Sequence, residues 1–205
     1  MSPYPRDYAR PTCYTCLRPE AHCVCNFIAP FRAHCNLLIL QHPNEWRKYY
    51  STTKLLARAV TNSKTLRSVY YTPEDIAAVT ENQRVYVLFP YAHAVDCEAT
   101  ALDESCTVIA VDGTWSEAKK ILFRNPFLKE YPAVSFSRPL RSRFRIRKQP
   151  SPECLSTLES VAHLLTLNAA AFGHKEKVPL YNSLFEGFEK MVEKQLSYWP
   201  SKPGI

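Results

Sequence analysis

Cys106-Thr107-Val108-Ile109-Ala110-Val111-Asp112-Gly113-Thr114-Trp115 is the stretch that decides the fold. Its first six residues, rich in Val and Ile, are too few for an ordinary helix and read as a buried strand. The run then breaks into a carboxylate, a glycine, a hydroxyl and an indole in succession. Gly113 suits a sharp turn or the close approach of a ligand. Thr114 either caps the helix predicted over residues 116–123 or offers its hydroxyl to a ligand. Trp115 either packs in the core or presents a flat stacking surface. Asp112, the only carboxylate at this strand end, is a candidate base or a partner for a cationic group. An ordinary strand-to-helix turn is the bland alternative.

Working outward, residues 36–40 (Asn-Leu-Leu-Ile-Leu), 84–89 and 133–136 read as three further strands. Helices are predicted over residues 46–60, 153–171 and 181–196. Strands alternating with helices imply an α/β fold with a parallel-type sheet and helices on both faces. Ligands in such sheets collect beyond the carboxyl ends of the strands. Three of those ends carry unusual sequence: Phe89-Pro90, Asp112-Gly113-Thr114-Trp115, and the loop after Phe136.

Only four glycines occur in 205 residues, at 113, 173, 187 and 204. A Walker A loop and a G-x-G-x-x-G turn are therefore both excluded, and any nucleotide-like ligand must be held in another way. No apolar run approaches the ~20 residues of a membrane helix, and the first residues show no signal-peptide core. A cytoplasmic protein is the expectation.

Four of the eight cysteines crowd together as C-x2-C-x6-C-x-C: Cys13, Cys16, Cys23 and Cys25. In a reducing compartment this spacing points to a tetrahedral structural zinc rather than to disulfides. A redox pair at Cys13 and Cys16, or His22 in place of one thiolate, are the alternatives. Cys35, Cys97, Cys106 and Cys154 read as core residues. Residues 1–34 are thus expected to form a small zinc module, and residues 35–205 the main domain.

Lys and Arg number 26 against 19 Asp and Glu, a net charge of +7. A polyanionic partner is the first expectation from that excess, and a basic surface with no particular ligand is the alternative that composition alone leaves open. Arg141, Arg143, Arg145 and Arg147 alternate, so in an extended strand they would share one face as a phosphate track, with Lys148 beside them. Phe144 and Ile146 would then point inward. An edge strand that uses charge to block aggregation is the alternative. Lys119, Lys120 and Arg124 would extend the basic surface, and Arg10 and Arg18 would add a second grip.

The run Asp112-Gly113-Thr114-Trp115-Ser116-Glu117-Ala118-Lys119-Lys120 resembles the signature of the DTW-domain family, the tRNA-uridine aminocarboxypropyltransferases. The cysteine cluster, His42-Pro43-Asn44-Glu45, Leu88-Phe89-Pro90 and Leu155-Ser156-Thr157-Leu158-Glu159 occur in the order expected of that family. Between Trp46 and Lys54 an Asn-Thr-Gly-like run is expected, and Ser51-Thr52-Thr53-Lys54 stands instead. The resemblance implies a SPOUT-like knotted fold that holds S-adenosylmethionine in its loops. It also implies transfer of the 3-amino-3-carboxypropyl group to a uridine ring nitrogen in tRNA, with methylthioadenosine released.

Phe89, Pro90, Asp112, Gly113, Thr114, Trp115, Ser156, Thr157 and Glu159 are the implied cofactor contacts. Capping of a helix is the competing role for Ser156 and Thr157. Asp112 is the candidate base for the uracil imide proton, with cofactor binding as its alternative. Methyl transfer on the same fold, and a zinc-containing RNA-binding module without activity, are the rival functions.

Overall fold

Two strands whose side chains are buried on both faces, β1 (Asn36–Gln41) and β5 (Cys106–Asp112), lie side by side in a parallel sheet. The computed structural model describes residues 11–198, apart from 17, 47, 49–50, 82 and 147–148. The other strands are β2 (Ser63–Arg67), β3 (Arg84–Leu88), β4 (Val95–Asp96) and β6 (Ala133–Ser135). The order across the sheet is β2-β1-β5-β3-β6-β4, and every pairing is parallel. The expected parallel α/β sheet is therefore present.

Strand alternation builds two cores. Leu37 and Ile39, with Val108 and Ala110, face the helices α2 (Thr53–Ala59), α5 (Thr157–Ala171) and α6 (Val178–Tyr198). Leu38, Leu40 and Ile109 face α3 (Pro73–Thr80) and α4 (Trp115–Arg124), meeting Ile76, Ile121 and Leu122. A side chain of this size contributes about 1.5–3 kcal/mol when fully buried. None of the described helices is long and apolar enough to cross a membrane.

The cysteine-rich segment docks on α6. Val24 and Ile28 belong to the larger core, and Lys194 Nζ donates to the carbonyls of Ala21 and Cys23 at 3.2 and 2.8 Å. Gly187 makes this approach possible: a Cβ there would stand 2.2 Å from Ile28 Cγ1.

Several local expectations are corrected. The helix expected over residues 46–60 does not form as one element. Trp46 instead ends a short helix, α1 (Pro43–Trp46), and α2 spans only Thr53–Ala59. Ser51, Thr52 and Thr53 stand where α2 begins, and hydroxyl residues favour helix starts over helix interiors. The helix expected from residue 153 starts at Thr157, because Ser156 and Glu159 form a capping box there. Strands β2 and β4 and helix α3 were not expected at all. β2, Ser-Lys-Thr-Leu-Arg, is a half-exposed edge strand with no apolar run to betray it.

Candidate active site

A cavity of about 870 Å³ opens beyond the carboxyl ends of β3, β5 and β6. Phe89 and Pro90 line one wall, Gly113, Thr114 and Trp115 the next, and Ser156 and Thr157 a third. Cavities of roughly 300–1,000 Å³ are the usual size for small-molecule ligands. Phe89 and Trp115 supply its aromatic side, with ring centroids 6.2 Å apart and tilted by 51°. The N-termini of α4 and α5 both meet the cavity wall, and unpaired amides at helix starts favour anionic groups.

Both helix starts are capping boxes. The Glu117 amide donates to Thr114 Oγ1 at 3.2 Å, while the Thr114 amide and hydroxyl each donate to Glu117 Oε2 at 2.8 Å. Asn44 Nδ2 of α1 adds a bond to Glu117 Oε1 at 3.3 Å. Burial disfavours the Glu117 carboxylate, but the Thr114 and Asn44 bonds and nearby Lys48 outweigh it and hold the pKa at about 2. Gly113 gives α4 room to start so close to the strand: a Cβ there would lie 2.9 Å from Glu117 Cβ and 3.2 Å from the Ala118 amide nitrogen.

At α5 the carboxylate sits deeper. Glu159 is 1% exposed and accepts from the Ser156 amide (2.8 Å), Ser142 Oγ (2.8 Å) and the Arg143 amide (2.6 Å). It ties the loop after β6 to the start of α5. Ser156 and Thr157 thus cap or open a helix and also line the cavity, whereas Glu159 lies behind the wall.

Asp112 also lies outside the cavity lining. It is 5% exposed; Oδ2 accepts from Gln41 Nε2 at 2.8 Å, and Oδ1 from Thr157 Oγ1 at 2.6 Å. Gln41 in turn accepts from Arg67 Nε at 3.2 Å. A chain of hydrogen bonds, Arg67–Gln41–Asp112–Thr157, therefore runs along the carboxyl edge of the sheet to the cavity. Gln41 carries no motif, and the parallel register that sets it opposite Asp112 joins residues 71 apart.

The four clustered cysteines converge without His22, with all four sulfurs within 4.8 Å of one another. Two pairs, Cys13–Cys25 and Cys16–Cys23, are 3.9 Å apart. A tetrahedral zinc with Zn–S near 2.3 Å sets S···S edges of roughly 3.8 Å, so the donor set fits that ion. Of the remaining cysteines, Cys35, Cys97 and Cys106 are buried as expected. Cys154 is only half-buried and lines the cavity, so it is not a core residue.

The basic residues divide. Arg141, Arg143 and Arg145 are exposed and Phe144 is buried, but the segment is not a strand. Its amides are taken elsewhere: Ser142 N donates to Pro152 O, Arg143 N to Glu159, and Arg145 N to Arg143 O. Arg143 is also paired with Glu189, and Arg138 makes a two-pronged pair with Glu98. Arg10, Arg147 and Lys148 lie outside the described residues. Arg18 is buried, donating to Ser51 O and Met191 Sδ, so it is not a surface grip. Lys119, Lys120 and Arg124 are exposed along α4.

Residues 10–196 match the DTW domain model. The chain belongs to the DTW-domain family. It is 33% identical over 168 residues to tRNA-uridine aminocarboxypropyltransferase 2 of Macaca fascicularis, covering 77% of this chain and 56% of the relative. The mouse protein of the same name is 32% identical over 168 residues, with the same coverage. The Drosophila melanogaster protein is 29% identical over 171 residues, covering 77% and 66%. The chain thus spans a little over half the length of its mammalian relatives. No solved structure gives a significant match. In this DTW domain the three residues that name the signature divide: Thr114 and Trp115 line the cavity wall, and Asp112 lies in the hydrogen-bond chain behind it.

Proposed function

We propose that this DTW domain transfers the 3-amino-3-carboxypropyl group of S-adenosylmethionine to the ring imide nitrogen of a uridine in tRNA, releasing methylthioadenosine. The observation that carries this reading is the cavity at the strand tips. It joins an aromatic wall to two helix N-termini and is lined by Gly113, Thr114 and Trp115 of the family signature. The names of the similar proteins support the same reaction.

S-adenosylmethionine supplies an already activated carbon, so the protein's work is orientation and removal of one proton. Phe89 and Trp115 give a surface for a flat ring. The amide groups at the starts of α4 and α5 suit the carboxylate of the amino-acid arm. Holding the uridine in line with the chosen carbon supplies much of the rate, and the same geometry selects that carbon over the methyl. We assign Asp112 first to positioning: it holds Thr157, and with it the start of α5, against the sheet edge. Acting as the base would require Asp112, buried behind the wall, to gain access to the cavity.

Two variants separate these roles. Asp112→Asn combined with Gln41→Glu keeps an acceptor for Thr157 and, with the donor reversed, the bond to residue 41. If Asp112 positions, this variant retains most turnover; if it is the base, kcat collapses while donor binding survives. Thr157→Val should weaken donor binding under the positioning role. The reaction itself is tested with donor labelled either in the methyl or in the amino-acid chain, incubated with unmodified tRNA. Label entering RNA from the methyl alone would replace the proposed reaction with methylation.

We further propose that the described sheet belongs to a SPOUT-like knotted fold. The late strands β5 and β6 insert between earlier ones, β5 between β1 and β3 and β6 between β3 and β4, which suits such threading. Residues 1–34 are proposed as a structural zinc module docked on the catalytic residues 35–205, in a protein acting on cytoplasmic tRNA. Elemental analysis should find about one zinc per chain, as a closed site of four thiolates requires. Cys16→Ser should lose the metal, and a fully folded wild-type protein without metal would contradict the module.

A further inference from the structure

Three exposed aromatic side chains lie on elements other than the Arg141–Arg145 loop. Trp46 ends α1, Tyr70 lies between β2 and α3, and Phe123 lies near the end of α4; they are 38%, 62% and 83% exposed. Two of them carry a guanidinium over the ring. Arg67 Cζ is 3.7 Å from the Trp46 centroid, and Arg124 Cζ is 4.8 Å from that of Tyr70.

Backbone connections link these elements. Arg67 closes β2 three residues before Tyr70. Asn125, next to Arg124, accepts from the Tyr71 amide at 2.7 Å and donates to the Val69 carbonyl at 2.9 Å, which fastens this loop to α4. Phe123 stands on the solvent face of α4 because Ala118, Ile121 and Leu122 occupy the buried one. Among the described residues, Arg67, Arg124, Arg141 and Arg145 pair with no carboxylate, whereas Arg138 and Arg143 do, so of these only Arg67 and Arg124 combine a free charge with an aromatic ring.

Unpaired nucleotides are bound by stacking on aromatic rings within a positive field, and such stacking tolerates any base. Arginines stacked on rings keep their edges free for phosphate. The flank also adjoins the cavity. Arg67 is two strands from Asp112 in the sheet, about 10 Å, and is joined to it through Gln41.

We propose that the Trp46–Tyr70–Phe123 flank binds the single-stranded RNA next to the modified uridine, with bases on Tyr70 and Phe123 and phosphates on Arg124 and on Arg67, which with Lys54 covers the Trp46 ring. The proposal rests on RNA being the substrate. It places the rest of that substrate on the β2 and α4 side rather than along Arg141, Arg143 and Arg145.

The test is fluorescence anisotropy with unmodified tRNA and with a uridine-containing single-stranded oligonucleotide, at several salt concentrations. Phe123→Ala and Tyr70→Ala should each weaken both about tenfold with the salt slope unchanged. Arg67→Ala should weaken binding and reduce the slope by about one. Arg141→Ala with Arg145→Ala should stay within about twofold, and the melting temperature of Phe123→Ala should equal that of the wild type.

Aromatic variants within twofold of wild type, or losses confined to Arg141 and Arg145, would overturn the proposal. Loss of a dimer in place of RNA affinity would assign the face to a second copy of the chain and overturn it equally. A wild-type protein that binds no RNA sinks this proposal and the proposed reaction together. Weakened RNA binding in a protein that transfers nothing keeps the surface and discards the reaction.

Discussion

Helices α4 and α5 begin with the same device and use it differently. Each has a hydroxyl cap and a glutamate three residues on, and each meets the wall of the cavity. Glu117 closes on its own cap and on Asn44 at a partly solvated surface, with the His42 ring nitrogen 3.4 Å away. Glu159, sealed from water, also gathers Ser142 and the Arg143 amide from the loop that closes the cavity. The local motif is the same, and burial decides what it is worth. A group left unpaired at the surface is resolvated, whereas one left unpaired in the interior keeps its full desolvation cost.

The largest effect is therefore expected at Glu159. Glu159→Ala strands the Ser156 and Arg143 amides and the Ser142 hydroxyl, costing about 3–5 kcal/mol. Denaturant unfolding should show this, with donor binding impaired as the loop loosens; an equal cost for Glu117→Ala would break the contrast. Gly113→Ala comes next, at about 1–3 kcal/mol, because its Cβ would press on the first turn of α4. A neutral result by thermal melting would mean that this turn can give way. Thr114→Ala should cost about 1 kcal/mol, the usual loss of a cap, with donor affinity reduced only modestly.

The smallest effect concerns acid. The folded pKa of Glu117, about 2, lies below the ordinary 4.5, so its contribution is complete above pH 4.5 and lost as pH falls toward 2. Glu117→Gln should lack that part of the acid transition. An unchanged acid profile would show that the Thr114 and Asn44 bonds do not favour the charged form.

These contrasts also mark where the sequence is readable. β1 and β5 announce themselves because Leu, Ile and Val fill consecutive positions between breaks, as they must when both faces are covered. Ser156 and Glu159 have capping-box spacing, and the structure realises that box. The cysteine spacing likewise anticipates the four converging sulfurs. β2 could not be read, since its half-exposed side chains follow no apolar pattern. Gln41 was hidden because its partnership with Asp112 is set by strand register, a long-range property. The alternating arginines suggested a strand, but Glu159 and Pro152 had already claimed two of the amides a strand would need. Burial of alternate residues survived without the strand, as Phe144 shows.

The proposed role of the strand-tip cavity is to present the amino-acid arm of S-adenosylmethionine to a uridine. It is met most directly by mass spectrometry of nucleosides digested from unmodified tRNA after incubation with the purified protein and that donor. Uridine enlarged by one 3-amino-3-carboxypropyl group should appear, with methylthioadenosine formed in equal amount. Unaltered uridine, or uridine carrying only a methyl group, would contradict it.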